Sequence, residues 1–444
     1  MSEHGESIGR DELDGLFARF LVDRPKMRCA LAVSGGSDSI ALLVLLAEWI
    51  GQVGRSFDAF TVLTVDHRLR PESAAEAQAV ARQASALGLR HVTLPWEGEK
   101  PRTGLQAAAR AARYRLMAEY ARAHDIGLIF TAHTEDDQAE TLLMRLARGS
   151  GLDGLSAMAP IAPLQDGESL LIARPLLEVS KARLQATLSR RGIGWIEDPS
   201  NASPVFERVR LRAAKVALEN LGLTPGMLSL SARRLRRARS ALDRWVADVL
   251  DPAAGMVEAH PCGFFSIDRG RLDGLPDEIV ARVLIHTIAA AGGAGEPVPL
   301  AGVDAILADL SSTQSGAWTL ARARLAATPD RLLIEREPGR EALPVLLLAP
   351  GDTAVWDGRF SVSAGRGIEG TVEVRGLGVD GMRELRTRIN VPPGLPVGSL
   401  RAAPSFWRGD QLLAVPSLGF RASADLTRLT ATFLPLAVRS GAGR

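Results

Sequence analysis

The sequence predicts an α/β protein: an N-terminal domain built on a mostly parallel sheet, then a helical domain and a small β-rich α+β C-terminal domain. Strand-like and helix-like runs alternate from Met27 to about Ile196, strand patterns stop after Asn201, and short β-rich runs return at Arg331. Such alternation is typical of a parallel sheet with helices on both faces. We therefore expect domains at residues 1–215, 216–330 and 331–444.

Four strand and helix pairs make up the predicted N-terminal sheet. The strands are expected at Met27–Val33, Ala59–Val65, His91–Trp96 and Gly127–Ala132, and the helices at Ile40–Ile50, Ala74–Leu87, Leu105–His124 and Asp136–Ala147. Ligands of such sheets bind at the carboxyl ends of the strands. Because Ser34–Ser39, Asp66, His67 and His133 each follow one of these strands, we expect them to share one cleft.

The two following domains are predicted from a change of pattern. Helical periodicity, interrupted by proline and glycine, covers residues from Phe206 to about Ile306. Short runs rich in β-formers follow at Arg331–Glu335, Thr353–Ala364, Gly370–Val374 and Ser405–Phe420. Within the last run, Trp407–Gln411 predicts a hairpin turn.

The composition is that of a soluble globular protein, with 46% hydrophobic and 23% charged residues among 444. The apolar run Ile40–Ala47 is far shorter than the ~20 residues that a membrane-spanning helix requires. The first residues also lack the basic and then apolar pattern of a secretory signal. We expect a cytoplasmic protein that does not use a membrane.

The loop between the first predicted strand and helix has the features of a phosphate-binding loop. It is formed by six residues, Ser34, Gly35, Gly36, Ser37, Asp38 and Ser39. Adjacent glycines let the backbone turn tightly, and the free N–H groups of the following helix attract an anion, of which a nucleotide is the obvious example. The loop lacks the lysine of the G-x-x-x-x-G-K-[ST] phosphate loop, so its charge chemistry differs from that of kinases and GTPases.

A dense polar run, His133–Thr141, follows the fourth predicted strand and enters a helix. Asp137 and Glu140 are three residues apart and so share one helix face. Acidic residues in a first turn also cap a helix, and for Asp136 alone we favour that interpretation. For His133, Asp137 and Glu140 together, at the edge of a parallel sheet, we favour a functional role.

A basic stretch between Phe206 and Arg244 contains ten Lys or Arg against three Asp or Glu, a net charge of +7. Arginines that suit a nucleic-acid backbone are Arg208, Arg212, Arg233, Arg234, Arg236 and Arg237. Charge runs of this kind are more often solvated helix faces than binding sites. The position directly after a nucleotide cleft favours tRNA binding.

Six segments carry a resemblance to a known family. They are SGGSDS from Ser34, VDHRLRPES from Val65, ARAARYRLM from Ala109, HTEDDQAETLLMRLARGSGLDGL from His133, RPLL from Arg174 and EDPSN from Glu197. Together they resemble the tRNA(Ile)-lysidine synthase family of PP-loop ATP pyrophosphatases, whose catalytic domain has the adenine nucleotide α hydrolase-like fold. One departure is Val209, where the family commonly has asparagine, and it leaves the role of that asparagine open.

The resemblance implies an ATP-dependent ligation of L-lysine to C2 of the wobble cytidine of tRNA(Ile) with the anticodon CAU. An adenylated cytidine is the intermediate, the products are lysidine, AMP and pyrophosphate, and codon reading changes from AUG to AUA. The loop Ser34–Ser39 would hold pyrophosphate and Asp38 would position Mg²⁺. His133, Asp137 and Glu140 would bind and deprotonate lysine, and Arg113 would hold its carboxylate or a phosphate. Arg174 would contact tRNA or lysine.

Alternatives remain open at this stage. Another PP-loop tRNA-modifying enzyme, such as a tRNA thiolase, is the nearest, but thiolases that use a cysteine pair or an iron–sulfur cluster need C-x-x-C. The chain has two cysteines, Cys29 and Cys262, far apart, and no metal-binding histidine pattern, which leaves Mg²⁺ brought with ATP as the expected metal. A non-catalytic ATP-binding regulator is the alternative from another class. The sequence does not fix the oligomeric state, and a homodimer stays open.

Overall fold

The computed structural model describes residues 5–101, 103–164, 170–197, 207–293, 297–337, 339 and 342–435. The chain divides into two compact units near residue 240, and each is described by itself. Within the described residues, no helix is both long and apolar enough to cross a membrane.

The first unit contains a six-stranded sheet in the order β3-β2-β1-β4-β6-β5, in which only the pairing of β5 with β6 is antiparallel. Its strands are β1 Arg28–Ala32, β2 Phe60–Asp66, β3 Arg90–Pro95, β4 Ile126–Phe130, β5 Ile161–Pro163 and β6 Leu171–Ala173. Its helices are α1 Leu13–Leu21, α2 Ser37–Val53, α3 Ser73–Ala86, α4 Leu105–Ala123, α5 Glu135–Ala147, α6 Leu152–Leu155, α7 Lys181–Arg190, α8 Glu207–Ala213, α9 Lys215–Asn220 and α10 Pro225–Leu250, which runs past the division. The predicted parallel-sheet domain is confirmed.

Alternate residues of the central strand β1 explain why both faces of the sheet are covered. Cys29 and Leu31 belong to the core that α1, α2, α3 and α7 cover, whereas Ala30 belongs to the core on the α4 side, with Met117. A strand that is buried on both faces is apolar, and Cys29–Ala32 of β1 show this pattern after the exposed Arg28. The polar residues predicted for the site follow the carboxyl ends of the strands.

The second unit contains three antiparallel sheets, ordered β7-β8-β11-β10-β9, β12-β15-β16-β17-β18 and β13-β14-β19. Its strands are β7 Val257–His260, β8 Phe264–Asp268, β9 Gly316–Leu320, β10 Ala323–Ala327, β11 Arg331–Arg336, β12 Leu346–Leu348, β13 Thr353–Trp356, β14 Phe360–Ala364, β15 Val372–Gly376, β16 Pro404–Arg408, β17 Gln411–Val415, β18 Phe420–Arg421 and β19 Leu429–Phe433. Its helices are α11 Arg269–Leu272, α12 Asp277–Gly292, α13 Leu300–Ser312, α14 Gly378–Arg388 and α15 Val397–Arg401.

Part of this unit was predicted wrongly from the sequence. The prediction that residues 206–306 contain only helices was wrong, because β7 and β8 lie there and β8 pairs with β11 through Ile267 and Leu332. The expected boundary at residue 330 falls between β10 and β11, which pair with each other in one sheet. The β-rich C-terminal region and the hairpin turn between Arg408 and Gln411 are confirmed.

A buried carboxylate organises the start of the β-rich region. The Asp357 side chain is 1% exposed and accepts hydrogen bonds from Arg359 Nε at 2.7 Å, Arg336 Nε at 3.2 Å and Arg322 Nη2 at 3.1 Å. Arg359 and Arg336 are also buried. Buried guanidinium groups need a counter-charge, so these arginines depend on Asp357.

We expect Asp357→Asn to destabilise the protein by about 3 kcal/mol, because it leaves two buried guanidinium groups without a negative partner. Equilibrium denaturation followed by circular dichroism measures the change. Asp380→Asn is the control, since the side chains of Asp380 and its partner Arg383 are 90% and 76% exposed. Equal stability of the two variants would contradict the role given to Asp357.

Candidate active site

The loop between β1 and α2 is shaped by its first glycine. Gly35 has a φ of +96°, a backbone conformation that favours glycine. A Cβ at this position would also lie 2.8 Å from Ile196 Cδ1, and the Gly35 carbonyl accepts a hydrogen bond from the Ile196 N–H at 2.9 Å. Gly36 then caps α2 in an extended conformation. The backbone path therefore explains Gly35, whereas Gly36 has an ordinary extended conformation with open space where a Cβ would lie.

The Ser39 hydroxyl holds the loop closed from inside. Ser39 Oγ accepts hydrogen bonds from the N–H groups of Ser34 at 3.2 Å and Gly35 at 3.1 Å, and donates to the Gly36 carbonyl at 3.0 Å. This leaves the first N–H groups of α2, which have no partner within the helix, as the anion-binding groups of the loop. Of the predicted ligand-facing serines, Ser39 is thus a buried structural residue.

Four carboxylates lie at one end of a cleft of about 280 Å³ beside this loop: Asp38, Asp136, Asp137 and Glu140. Asp38 lies in the first turn of α2, and the other three lie in α5. Leucines from α5, α8, α9 and α10 line the rest of the cleft, together with Lys181, Arg212 and Lys215. The cleft thus combines a polar wall with an apolar wall.

Asp137 lies in the cleft and also caps α5, a role that sequence analysis had favoured for Asp136 alone. Asp137 Oδ2 accepts from the Thr134 N–H at 2.9 Å and from Thr134 Oγ1 at 3.1 Å, and the Asp137 N–H donates to Thr134 Oγ1 at 3.4 Å. These bonds form a capping box at the start of α5. The carboxylate is therefore held in one orientation at the rim of the cleft.

Glu140 makes a two-point contact with an arginine predicted to bind tRNA. Arg212 donates from Nε to Glu140 Oε1 at 2.5 Å and from Nη2 to Oε2 at 3.3 Å. This hydrogen bonding raises the pKa of Arg212. Arg208 lies in α8 as well, but its side chain lies outside the described residues, as do residues 198–206.

Two lysines for which the sequence predicted no role in the site also line the cleft. Lys215 Nζ donates to Asp136 Oδ1 at 3.0 Å, and the Lys181 N–H donates to Asp136 Oδ2 at 2.9 Å. Burial alone would raise the pKa of Asp136, but these two hydrogen bonds lower it overall. Lys181 follows β6, and this position at the carboxyl edge of the sheet is the sequence signal that could have identified it.

Asp38 has a different environment from its neighbours. Burial raises its pKa, and the negative charges of Asp137 and Asp136 act in the same direction. Two groups oppose this effect: Lys181, whose Nζ is 3.9 Å from Asp38 Oδ2, and the Ser37 hydroxyl, which donates to Oδ1 at 3.1 Å. A cation beside Asp38 would therefore be favoured.

His133 and Arg113 lie at the same edge of the sheet but beside other partners. His133 Nδ1 is 3.0 Å from the Thr131 hydroxyl, directly after β4. Arg113 Nη2 is 3.4 Å from His67 Nε2, and the His67 ring meets Trp96 edge-on at 5.8 Å. Sequence analysis placed His67 in the cleft without a role and did not identify Trp96.

Several arginines predicted to bind tRNA make hydrogen bonds or ion pairs within the first unit. Arg174 Nη1 donates to the Ala159 carbonyl at 2.8 Å, and Arg236 Nε donates to the Ser156 carbonyl at 3.4 Å. Arg233 pairs with Glu178 at 3.3 Å. Arg234 and Arg237, on the same helix, are exposed.

Residues 11–218 match the family model of the PP-loop domain. A tRNA(Ile)-lysidine synthase from Ruegeria pomeroyi is 38% identical over 93% of this chain and 94% of its own length. The synthases from Bradyrhizobium diazoefficiens and Rhodopseudomonas palustris are 44% and 43% identical; each match covers 76% of this chain and, respectively, 91% and 97% of the relative.

The chain belongs to the tRNA(Ile)-lysidine synthase family. Membership and the PP-loop domain imply that the chain uses ATP. The four carboxylates of the cleft in this lysidine synthase family member lie inside the matched region, whereas Leu223, Pro225 and Leu228 of its lining lie beyond residue 218.

We expect His67 to stay neutral from about pH 8 to about pH 5. Burial and the positive charge of Arg113 lower its pKa from 6.5 to about 4, with Lys100 acting in the same direction and Asp66 against it. The unfolded chain binds this proton near pH 6.5, so His67 makes folding less favourable as pH falls below that value. Imidazole NMR shifts measure the pKa directly.

The Arg113→Met variant provides the control for this measurement. Loss of the guanidinium charge should raise the pKa of His67 toward its ordinary value. A pKa of His67 near 6.5 in the unmodified protein would contradict the contact between Arg113 and His67.

Proposed function

We propose that this chain joins L-lysine to C2 of the wobble cytidine of tRNA(Ile) carrying the anticodon CAU, in two steps that use ATP in the cytoplasm. The observation that carries the proposal is the convergence of the phosphate loop, through Asp38, and the α5 carboxylates Asp137 and Glu140 on one cleft. The reaction requires a group that activates the nucleotide and a group that binds the amine, and the position of Asp38 beside Asp137 and Glu140 supports both roles.

In the first step, the C2 oxygen of cytidine attacks the α-phosphorus of ATP. A new O–P bond forms, the bond between the α-phosphorus and the bridging oxygen breaks, and pyrophosphate leaves with the electron pair. The N–H groups at the start of α2 would stabilise the charge that develops on the departing phosphates. Arg113, with its guanidinium beside His67, would hold a further anionic group, either a phosphate or the lysine carboxylate.

Mg²⁺ fits this site as a partner of ATP. No group of three metal-binding side chains is present among the described residues, and Mg²⁺ commonly uses one or two carboxylates together with phosphate oxygens and water. Asp38 would supply the carboxylate, and the burial and neighbouring carboxylates that raise its pKa support the binding of an added positive charge there. The ion would neutralise negative charge on the phosphates.

In the second step, the ε-amine of lysine attacks C2 and AMP leaves with the oxygen. The amine must first lose a proton, against an ordinary pKa near 10.4. Asp137 is the carboxylate best placed to accept it, because Arg212 occupies both oxygens of Glu140, whereas the bonds from Thr134 use only Oδ2 of Asp137. The leucines of the cleft would contact the aliphatic part of lysine. His133, at the same edge of the sheet, would assist this proton transfer.

The tRNA is expected to bind through seven arginines, of which Arg212 also lines the cleft: Arg174, Arg208, Arg212, Arg233, Arg234, Arg236 and Arg237. Phosphate contacts position the substrate, and an unstacked anticodon base can enter the cleft without duplex opening. A homodimer remains an additional proposal.

Thiolation of tRNA is less well supported. Both cysteines are buried, and burial raises the pKa of Cys29 to about 12 and of Cys262 to about 11. Sulfur transfer by a cysteine requires a reactive thiolate. Burial therefore disfavours the thiolate of both cysteines.

Incorporation of labelled lysine into unmodified tRNA(Ile) with the anticodon CAU tests the function. Asp38→Ala should abolish both pyrophosphate release and lysine incorporation. Asp137→Asn should preserve pyrophosphate release but slow incorporation by about 10²- to 10⁴-fold, because asparagine can still cap α5 but cannot accept the proton.

Asp58→Asn, a change in an exposed turn outside the cleft, is the control and should match the unmodified protein. No incorporation by folded unmodified protein would contradict the proposed function. Normal incorporation by Asp137→Asn would contradict only the role of Asp137.

The double variant Arg234→Ala/Arg237→Ala should raise the KM for tRNA without changing the KM for ATP. Each lost phosphate contact should reduce the slope of log KM against log salt by about 0.7–0.9. Arg233→Ala/Arg236→Ala should raise the KM as well but also lower the melting temperature, since it removes the contacts with Glu178 and Ser156. An unchanged salt slope in both double variants would exclude this helix as a tRNA-binding surface.

A further inference from the structure

We infer that Lys181 is a phosphate-binding residue of this active site: its ammonium group binds the β- and γ-phosphates of ATP and the departing pyrophosphate, and so provides the cation that the loop itself lacks. The inference rests on the proposed function for the identity of its ligand. It assigns a role to a residue outside the motif of the loop.

The backbone of Lys181 is fixed at the rim of the cleft. Lys181 begins α7, and its N–H donates to Asp136 Oδ2 at 2.9 Å, which ties the start of α7 to the start of α5. Leu184 and Leu188, further along α7, are buried in the same core as α2. The position of the side chain therefore depends on the fold and not on a loose loop.

The ammonium group lies beside the phosphate loop. Lys181 Nζ is 3.9 Å from Asp38 Oδ2, and its side chain is 45% exposed. That distance is too long for a hydrogen bond, so this carboxylate does not use the ammonium donors. Lys215, the other lysine of the cleft, differs because its Nζ donates to Asp136 Oδ1 at 3.0 Å.

The charges of the cleft show why such a cation is needed. Neither Lys nor Arg occurs between Ser34 and Val53, so the loop and its helix offer N–H groups, serine hydroxyls and the negative Asp38 to a polyphosphate, but no cation. Arg212 is paired with Glu140 and Lys215 with Asp136. Among the described residues that line the cleft, Lys181 is the remaining cation, and its Nζ lies beside Asp38 of the loop.

A purely structural role for Lys181 does not account for this arrangement. A half-exposed ion pair with this separation adds little to stability. The same geometry is well suited to an incoming anion, because an ammonium near a carboxylate can turn toward a phosphate and still balance the carboxylate. Lys181 would then contact both Asp38 and the phosphates.

Calorimetric titration of the full chain with inorganic pyrophosphate and Mg²⁺ tests the inference, using Lys181→Met, Lys181→Arg and Arg190→Met. Loss of a charged hydrogen bond should weaken pyrophosphate binding by Lys181→Met about ten- to hundredfold. Lys181→Arg should recover part of the affinity because it keeps the charge. Arg190→Met, which removes a charge at the far end of α7, should bind pyrophosphate as the unmodified protein does.

Kinetics and thermal unfolding distinguish a role of Lys181 in phosphate binding from a role in protein stability. Lys181→Met should raise the KM for ATP and slow pyrophosphate release, with the KM for lysine and the melting temperature unchanged. Normal pyrophosphate affinity in Lys181→Met would overturn the inference, and so would weak binding accompanied by a clear fall in melting temperature. If the unmodified protein binds pyrophosphate through Lys181 but incorporates no lysine, the proposed function fails while the phosphate role stands.

Discussion

The meeting of strand ends at one edge of the parallel sheet is the constraint on which the site depends. β1 and β4 are neighbours, so the helices that follow them, α2 and α5, begin side by side. β6 lies next to β4 and leads to α7. Asp38, Asp137 and Lys181 are far apart in sequence, yet each lies just after one of three adjacent strands. The order of the strands therefore brings these three side chains to one cleft.

That convergence has an electrostatic cost. Carboxylates at the starts of α2 and α5 repel one another, and the raised pKa of Asp38 reflects this repulsion together with burial. Cations from α7, α8 and α9 offset it through Lys181, Arg212 and Lys215. The cleft is thus completed by residues that come well after the motif-bearing strands, so the PP-loop alone does not define the site.

Local patterns predicted β1 to β4 and the helices that follow them because apolar strand runs alternate there with long helical runs, whereas β5 and β6, of three residues each, were not predicted. β7 and β8 were missed because their residues, VEAH and FFSID, do not form a continuous apolar run like IGLIF of β4, and they pair with partners that are distant in sequence, such as β11. The same limit applies to the site. Glycines and acidic residues next to strands could be identified, whereas the engagement of Arg233 by Glu178 depends on tertiary packing.

Helix capping and function are not competing explanations at the start of α5. The capping box uses Oδ2 of Asp137 and thereby fixes the side chain at the cleft, which is what a proton acceptor requires. Glu140, one turn later, instead orients Arg212 through Nε and Nη2. A guanidinium has five N–H donors, so Arg212 keeps others for a phosphate. We therefore propose that Glu140 links the lysine site to the tRNA backbone, because an anion bound by Arg212 and an amine bound beside Asp137 would share one helix face.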